Sequence, residues 1–521
     1  MQQEVAKGRR NSLAVLTTGL AAVLFTSGCG NQYRPVVTAT NPVGPAGQPT
    51  KYAVAISNPS ASHASCGSAY AAGQGETGLI TIVDVSGDTV LSTPNIGPAS
   101  NNNFFLPPSG LNCPLNPNIF SIDIATGSQG FVVDPNVAGG FQGGGGFAVF
   151  PLSNPTTLLS QNVVQSTLAT GANPTSVEAI TVTSTGSTVF VTQAGEPSAS
   201  PAIPASIAAL NVTSGPSLLQ SITLADSTQV PQYVVGYDGT QRVYAISQSS
   251  SGSNGEVSAI EGTQLAISAT IPVGINPVYG VMTADLKRAY IVNEGSSTAG
   301  SGTVSVINVV NNALDSAVPT ITLPNITTPS GTTGPKPVWA DYSLTTNELV
   351  VLNQGDGVNP GSLSIINIPL CNINTPVTNP NCSTTNPTDA QGFGTIVATV
   401  PVGVNPTMVS MLTDGTQAYV VNSGNASTGA GASVSVVNLA TGVVTATIPY
   451  GADTPDTATT VVNKIFGHPN TVSATTGTPT GKVYITSPDD NYLTILRTDN
   501  NTVQAHIDLQ GAGVRVQVNV R

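Results

Sequence analysis

The chain has 521 residues, of which only 8% are charged, and its formal net charge is −12 at pH 7. A protein that binds nucleic acid needs a basic stripe or patch to contact the phosphates, so this composition argues against that class of partner. A hydrophobic fraction of 40% with so few charges is typical of an exported all-β protein, and the length suffices for one large core.

The N-terminus has the layout of a secretory signal. The basic residues Lys7, Arg9 and Arg10 precede an apolar run from Leu13 to Phe25, and small residues follow up to Cys29. The apolar run has about 13 residues, fewer than the roughly 20 that a membrane-spanning helix needs. An ordinary signal peptide or a membrane anchor is the alternative to a lipid-modified N-terminus.

Residues 26–29 resemble the bacterial lipobox, whose cysteine becomes lipid-modified after cleavage, although Thr26 replaces the usual leucine. The resemblance implies a signal peptide over residues 1–28, lipidation of Cys29 and a lipidated linker over residues 29–50. Gly30 is not the aspartate that retains such proteins in the inner membrane, so the resemblance also implies sorting to the outer membrane or the cell surface.

Four further cysteines follow in the chain: Cys66, Cys113, Cys371 and Cys382. An even number in an exported protein indicates disulfides, and three pairings are formally possible. Cys371 and Cys382 bracket a segment rich in proline and asparagine, so the simplest prediction joins them and leaves Cys66 with Cys113. A metal site is the alternative, but the spacing is not of the CxxC type and no histidine is near Cys371 or Cys382.

A strand pattern recurs along residues 51–521, and its clearest copies are Thr303–Asn308, Ser362–Asn367, Ser433–Asn438 and Tyr492–Arg497. Another apolar strand precedes each copy, a strand with a tight turn precedes that one, and a last strand follows, often ending in Pro-Val-Gly. Proline is tolerated in that last strand only if the strand is the outer edge of its sheet. The repeat therefore predicts a single β-propeller domain over residues 51–521, built from four-stranded antiparallel blades with strands A to D.

The B strands carry a family resemblance. Tyr419, Val420 and Asn422 reproduce the Tyr-Val-x-Asn run of the YVTN family of β-propeller repeats, and Tyr290 and Asn293 approximate it. The resemblance is strongest over residues 277–511. It implies a propeller fold and a surface or exported location, and it implies no particular chemistry.

The last residues of the B strands give eight marks, which favour eight blades, with seven as the alternative: Ser57, Asp134, Gln193, Ser247, Asn293, Asn353, Asn422 and Ser487. Residues 514–520 follow the last D strand in the place of an A strand. We expect this segment to complete the blade that begins near Tyr52, because it would otherwise leave an open sheet edge.

Seven of these marks form a candidate site. If they line the channel mouth as a polar ring, they could hold a small polar ligand or an ion: Asp134, Gln193, Ser247, Asn293, Asn353, Asn422 and Ser487. The alternative is that each asparagine closes its own turn. The long B–C connections, which share one face of a propeller, are a second candidate surface, but they contain few of the aromatic and arginine residues that anchor interfaces.

Catalytic chemistry has little support in the sequence. The three histidines are His63, His468 and His506, and none has a nucleophile or carboxylate beside it in the sequence. The glycine run at residues 143–146 lacks the lysine and serine of a phosphate loop. Asp356 and the Asp489-Asp490 pair are typical of turns rather than of a calcium loop.

These observations together predict an exported, lipid-anchored β-propeller that acts as a binding or surface-structural module. Its expected partners are the membrane, through the N-terminal lipid, and an unknown protein, glycan or small-molecule ligand. The sequence predicts no catalytic residue, no cofactor, no metal and no nucleic-acid partner, and a monomer. The alternative is a propeller enzyme similar to lactonases or streptogramin lyases, with its site at the channel mouth.

Overall fold

The computed structural model describes residues 51–57, 79–93, 119–122, 129–134, 146–152, 164–167, 174–183, 186–198, 200–212, 217–296, 302–329, 331–372, 382–425, 427–451, 456, 460–475, 481–509 and 511–519. Cys29, His63, Cys66, Cys113 and the loop at residues 143–145 lie outside these ranges. Among the described residues no helix has the length and apolarity needed to cross a membrane.

The described strands form eight antiparallel blades, which confirms the predicted fold class. The first four blades, with their strands in the order A to D, are as follows: blade 1, β35 (Gly513–Val518), β1 (Tyr52–Ser57), β2 (Leu79–Asp84) and β3 (Thr89–Ser92); blade 2, β4 (Ile119–Ile122), β5 (Gln129–Asp134), β6 (Gly146–Pro151) and β7 (Val164–Thr167); blade 3, β8 (Pro174–Thr183), β9 (Gly186–Gln193), β10 (Ser206–Asn211) and β11 (Ser217–Thr223); blade 4, β12 (Gln229–Val235), β13 (Arg242–Ser249), β14 (Asn254–Glu261) and β15 (Ala266–Ile275).

The other four blades follow the same order, except that strand D of blade 5 is broken in two. Blade 5 contains β16 (Pro277–Met282), β17 (Arg288–Asn293), β18 (Thr303–Asn308), β19 (Ala313–Leu314) and β20 (Thr320–Thr322); blade 6, β23 (Pro337–Ser343), β24 (Glu348–Asn353), β25 (Pro360–Asn367) and β26 (Ile396–Val404); blade 7, β27 (Pro406–Met411), β28 (Gln417–Asn422), β29 (Ser433–Asn438) and β30 (Val443–Pro449); blade 8, β31 (Thr471–Ala474), β32 (Lys482–Thr486), β33 (Tyr492–Arg497) and β34 (Val503–Asp508). A small hairpin of β21 (Ile326–Thr328) and β22 (Gly331–Thr333) lies between blades 5 and 6 in the chain.

The C-terminal strand joins the first blade, as the sequence predicts. Strand β35 pairs antiparallel with β1, with Val516 opposite Ala55 and Val518 opposite Ala53. Each innermost strand also contacts the innermost strand of the next blade, and β31 of blade 8 contacts β35 of blade 1. The two ends of the repeated region therefore share one sheet.

The hydrophobic core lies between neighbouring blades. The B and C strands are almost wholly buried, whereas exposed and covered positions alternate along the outer D strands. The prolines of the D strands fit this arrangement, because Pro401 and Pro449 pair only with the C strand on their inner side. A missing backbone donor on the outer side of an edge strand leaves no hydrogen bond unmade.

The inner edge of each A strand would present unpaired N–H groups to the channel, and side chains of the preceding blade accept several of them. Asp341 Oδ2 accepts from the Met411 amide at 2.9 Å, Ser410 Oγ from Ala474 at 3.1 Å, and Ser473 Oγ from Val518 at 3.1 Å. Because a buried backbone donor without a partner is costly, these hydrogen bonds join adjacent blades around the channel.

Candidate functional site

A cavity of about 310 Å³ lies among the innermost strands, and it is our candidate site. It is lined by A-strand residues of seven blades and reaches Ala284, Leu344 and Thr413 in A–B turns. It therefore extends toward the end of the channel opposite the B–C loops, which the sequence suggested as a binding surface.

The register of the A strands explains which side chains reach the cavity. Five of these strands contain a proline followed by an irregularity in pairing: Pro174, Pro231, Pro277, Pro337 and Pro406. The residue two positions after the proline lines the cavity in each case. We call these residues, together with Arg515 at the equivalent position of β35, the aromatic layer: Ser176, Tyr233, Tyr279, Trp339, Met408 and Arg515.

Three rings of the aromatic layer pack in a continuous stack across blades 4, 5 and 6. The Tyr233 and Tyr279 ring centroids are 4.7 Å apart at an angle of 51°, and those of Tyr279 and Trp339 are 3.8 Å apart at 21°. The Tyr279 and Trp339 rings are stacked and the Tyr233 ring is tilted against Tyr279, and such ring contacts add to the stabilisation that burial supplies. Trp339 is the only tryptophan of the chain, so its fluorescence reports on this site alone.

Arg515 extends the stack from another blade. Its guanidinium carbon lies 5.6 Å from the centroid of the Trp339 ring. A planar guanidinium that stacks on an aromatic face keeps its N–H edge free for bidentate hydrogen bonds. Strand β35 thus contributes both to the joining of the first blade and to the surface of the cavity.

The charged groups around Tyr233 shift the pKa of its hydroxyl by unequal amounts. Burial raises the pKa of the Tyr233 hydroxyl, the Arg515 charge opposes that rise, and the Glu178 carboxylate adds to it less strongly than Arg515 opposes it. Asp341 also lines the cavity, but its carboxylate accepts hydrogen bonds from the amides of Tyr342 and Met411. Arg515 therefore contributes the positive charge of the cavity wall, and Glu178 and Asp341 contribute negative charges.

The polar ring predicted from the B-strand ends does not line this cavity. Asn293, Asn353 and Asn422 are fully buried. Each donates from Nδ2 to two serine or threonine hydroxyls of the adjacent C strand at 2.9–3.2 Å. These asparagines therefore hold strands B and C together inside each blade, and their amide nitrogens face strand C rather than the cavity.

Two glycines show why asparagine fits at these positions. A Cβ atom on Gly274 would lie 2.7 Å from Cγ of Asn293, and one on Gly403 would lie 2.6 Å from Cγ of Asn422. The glycine of Pro-Val-Gly at the end of one blade thus makes room for the asparagine of the next. The Pro-Val-Gly run of one blade and the B-strand asparagine of the next blade therefore meet in a single contact between the blades.

The remaining positions of the predicted ring are also inside the protein where they are described. Ser206 donates to Gln193 Oε1 at 3.1 Å, Ser487 donates to the Phe466 carbonyl at 2.8 Å, and Ser247 is fully buried. The side chain of Asp134 lies outside the described part of the structure. None of the described ring positions contacts the cavity, because the B strand stands one strand away from the channel.

Two histidines do have carboxylate neighbours, contrary to the expectation from the sequence. Nδ1 of His468 lies 2.5 Å from Asp489, and Nδ1 of His506 lies 3.1 Å from Asp456. The pairs join residues 21 and 50 positions apart, so local sequence could not reveal them. His506 Nε2 also faces the Lys464 carbonyl at 2.9 Å, so both of its ring nitrogens face oxygen acceptors.

The other acidic candidates act in turns, as predicted. Asp356 accepts hydrogen bonds from the amides of Val358 and Asn359, and Asp490 accepts from the amide of Tyr492. Within the described ranges no three His, Cys, Asp or Glu side chains are grouped so that they could hold a metal. The predicted disulfide between Cys371 and Cys382 is present.

A second cluster of charges lies between blade 5 and the C–D connection of blade 6. Arg288, in β17 of blade 5, is 1% exposed and lies 3.1 Å from Asp315 and 3.0 Å from Asp389. Burial raises the pKa of Asp389 to about 7, the neighbouring Asp315 carboxyl group adds to the rise, and Arg288 opposes it. One arginine thus faces two carboxyl groups that share a buried space.

We expect this cluster to make the free energy of unfolding depend on pH. The pKa of Asp389 is raised from 3.8 to about 7, so its contribution to stability is complete below pH 3.8 and is lost as the pH rises through 7. Asp389→Asn imitates the protonated acid and should remove this part of the dependence. Urea unfolding of both proteins from pH 4 to 8 measures it, and parallel profiles would contradict the assignment.

Comparisons with known proteins concern the fold. No protein-family model matches the sequence, and no curated protein matches it significantly. Among solved structures, the dihydro-heme d1 dehydrogenase NirN is 12% identical, with 90% of this chain and 75% of that chain covered and a TM-score of 0.52. AztD from Citrobacter koseri is 10% identical over 90% and 97% of the two chains, with a TM-score of 0.48.

A third similar structure is the periplasmic gluconolactonase PpgL from Pseudomonas aeruginosa, which is 16% identical over 76% of this chain and 95% of that chain, with a TM-score of 0.43. At these identities the likeness shows the β-propeller fold alone. What this chain binds or does has to be argued from its own residues.

Proposed function

We propose that this protein is an exported, lipid-anchored β-propeller that acts as a binding module, with its ligand site in the channel cavity. The observation that carries the proposal is the aromatic layer. In a chain with only 5% aromatic residues, Tyr233, Tyr279 and Trp339 stack at one level of the channel with Arg515 beside them. A largely apolar, concave site with a few convergent polar groups is the usual form of a small-molecule site.

The size of the cavity favours a small molecule over a protein or a long glycan. Its volume of about 310 Å³ is at the lower end of the range for ligand pockets, roughly 300–1,000 Å³. Most of the cavity wall comes from the A strands, and only its end is formed by A–B turns. A wall held in sheets is largely preformed, so ligand binding costs little ordering entropy.

Membership of the YVTN repeat family and export as a lipoprotein belong to the proposal. The Tyr-Val-x-Asn residues of β28 and the lipobox-like residues before Cys29 support them. In this account Cys29 carries the lipid, residues 29–50 are the linker, and the propeller begins at residue 51.

Emission of Trp339 tests the binding function. We expect at least one class in a panel of small anions, cations, sugars and amphipathic acids to produce a saturable change in emission and a matching rise in melting temperature. Trp339→Phe should abolish the emission and weaken the rise. A panel in which no compound changes either quantity contradicts the proposal.

Cellular fractionation of a Cys29→Ala variant tests the anchor. We expect this variant to leave the membrane fraction and lose incorporation of radiolabelled fatty acid, because the lipid is attached at that cysteine. Cys371→Ala serves as the matched control, since it removes a different cysteine and should leave the label in place. Continued labelling of the Cys29→Ala variant contradicts the anchor.

A further inference from the structure

We infer that the channel cavity accepts a small organic carboxylate. Its acid group is bound by Arg515, and its apolar body packs against the aromatic and apolar side chains of the same layer. The inference rests on the proposed function and adds the chemical class of the ligand.

Arg515 differs from the other arginines that the structure describes. Arg242 pairs with Glu261, Arg288 with Asp315 and Asp389, and Arg497 with Asp499. No carboxylate among the described residues forms an ion pair with Arg515, which stacks on Trp339 instead. The guanidinium of Arg515 is half-buried at the cavity surface, and its five N–H donors exceed what its hydrogen bond with Tyr233 uses, so the remaining donors can be satisfied by water or by a ligand.

Two acidic groups, Glu178 and Asp341, also line the cavity, so the preference for an anion is local to the guanidinium of Arg515. The two carboxylate oxygens of Asp341 already accept amide hydrogen bonds from Tyr342 and Met411, at 2.9 Å each. Glu178 influences Tyr233 less than Arg515 does. An anionic group that lies against the Arg515 guanidinium forms a favourable ion pair there, whereas a cationic group at the same place is repelled.

The rest of the wall suits an apolar body. Tyr279 and Met408 line the cavity at the level of Arg515, and Val235 and Val281 line it two residues farther along their strands. Apolar surface buried against such a wall contributes affinity in proportion to its area. A carboxylate attached to a ring or short hydrocarbon satisfies both parts of the site, whereas a phosphate ester of a sugar satisfies only the charge.

The experiment titrates the full-length protein in detergent with three probes of one shape: phenylacetate, phenylacetamide and phenethylamine. Trp339 emission is the readout. We expect phenylacetate to bind at least tenfold more tightly than the amide, and the amine to bind no better than the amide, because only the carboxylate forms charge-assisted hydrogen bonds with arginine.

Arg515→Gln should weaken phenylacetate binding at least tenfold and remove the preference over the amide. Arg497→Gln, the same substitution at an arginine of blade 8 that pairs with Asp499, should leave binding unchanged. If Arg515→Gln fails to fold, Arg515→Lys replaces it, and we expect weaker binding with the preference for the carboxylate retained.

The failures of this inference and of the proposed function are distinguishable. Equal or tighter binding of the amide or amine, or full affinity in Arg515→Gln, overturns the carboxylate class and leaves a binding module. If phenylacetate does not bind but another class of the panel does, the carboxylate class is likewise overturned and the binding module remains. No response to any compound of either experiment overturns both.

Discussion

A protein that lacks residues 512–521 should fail to form a stable propeller. The deletion removes β35, whose Val516 and Val518 are 1% and 2% exposed, and it also removes the hydrogen bond between the Tyr52 amide and Asn519 Oδ1. Burial of a valine contributes roughly 1.5–3 kcal/mol. The loss of two, together with a newly open edge on β1, approaches the total stability of about 5–15 kcal/mol that a domain has.

Circular dichroism and size-exclusion chromatography measure this effect. We expect the truncated protein to lose its cooperative melting transition and to aggregate through the exposed edge of β1. A synthetic peptide of residues 512–521 should restore part of the transition by adding the missing strand. Deletion of residues 520–521 alone leaves β35 intact and is the control, and an unchanged melting temperature in the longer deletion contradicts the role of β35.

Arg288→Leu should lower the free energy of unfolding by about 3–5 kcal/mol, because it leaves Asp315 and Asp389 buried without their cation. It also removes a hydrogen bond of 3.0 Å to the Pro387 carbonyl, through which blade 5 contacts the C–D connection of blade 6. The loss should be smaller at acidic pH, where Asp389, whose pKa is raised to about 7, binds a proton.

Arg242→Leu is the matched control for this substitution. Arg242 occupies the same position, the first of strand B, in blade 4, and its pair with Glu261 is partly exposed, at 21% and 19%. Exposed pairs contribute about 0–1 kcal/mol, so we expect a loss of that size. Equal losses in the two variants, measured by urea unfolding, contradict the assigned importance of the buried cluster.

The sequence predicts the fold well because each blade repeats local signals. Alternation, tight turns and the edge prolines Pro401 and Pro449 act within a few residues, and the pairing of β35 with β1 follows from one unmatched strand. The pairing of Cys371 with Cys382 is predictable for the same reason, since the two cysteines are only 11 positions apart in the sequence.

The site is harder to predict because it depends on which strand faces the channel. The asparagines of the B strands attract attention as a repeated polar motif, yet their neighbours are the C-strand hydroxyls and a glycine of the preceding blade. The signal that could have found the site is the third residue of each Pro-x-x run at the start of strand A, where Tyr233, Tyr279 and Trp339 recur.

Contacts between distant residues are the part that the sequence could not supply. The proximity of His468 to Asp489 and of Arg515 to Trp339 arises only when the blades are assembled. Arg515 is separated from Trp339 by two further blades in the chain, and its role follows from the joining of β35 to blade 1.

The most direct test of the ligand site in the channel cavity is a crystal structure of the protein with 4-bromophenylacetate, in which anomalous scattering locates the bromine. We expect one bromine peak in the channel cavity beside Tyr279 and Met408, with the carboxylate on the guanidinium of Arg515. A bromine peak outside the channel, or an empty cavity in crystals soaked at a concentration that saturates Trp339 emission, would contradict the account.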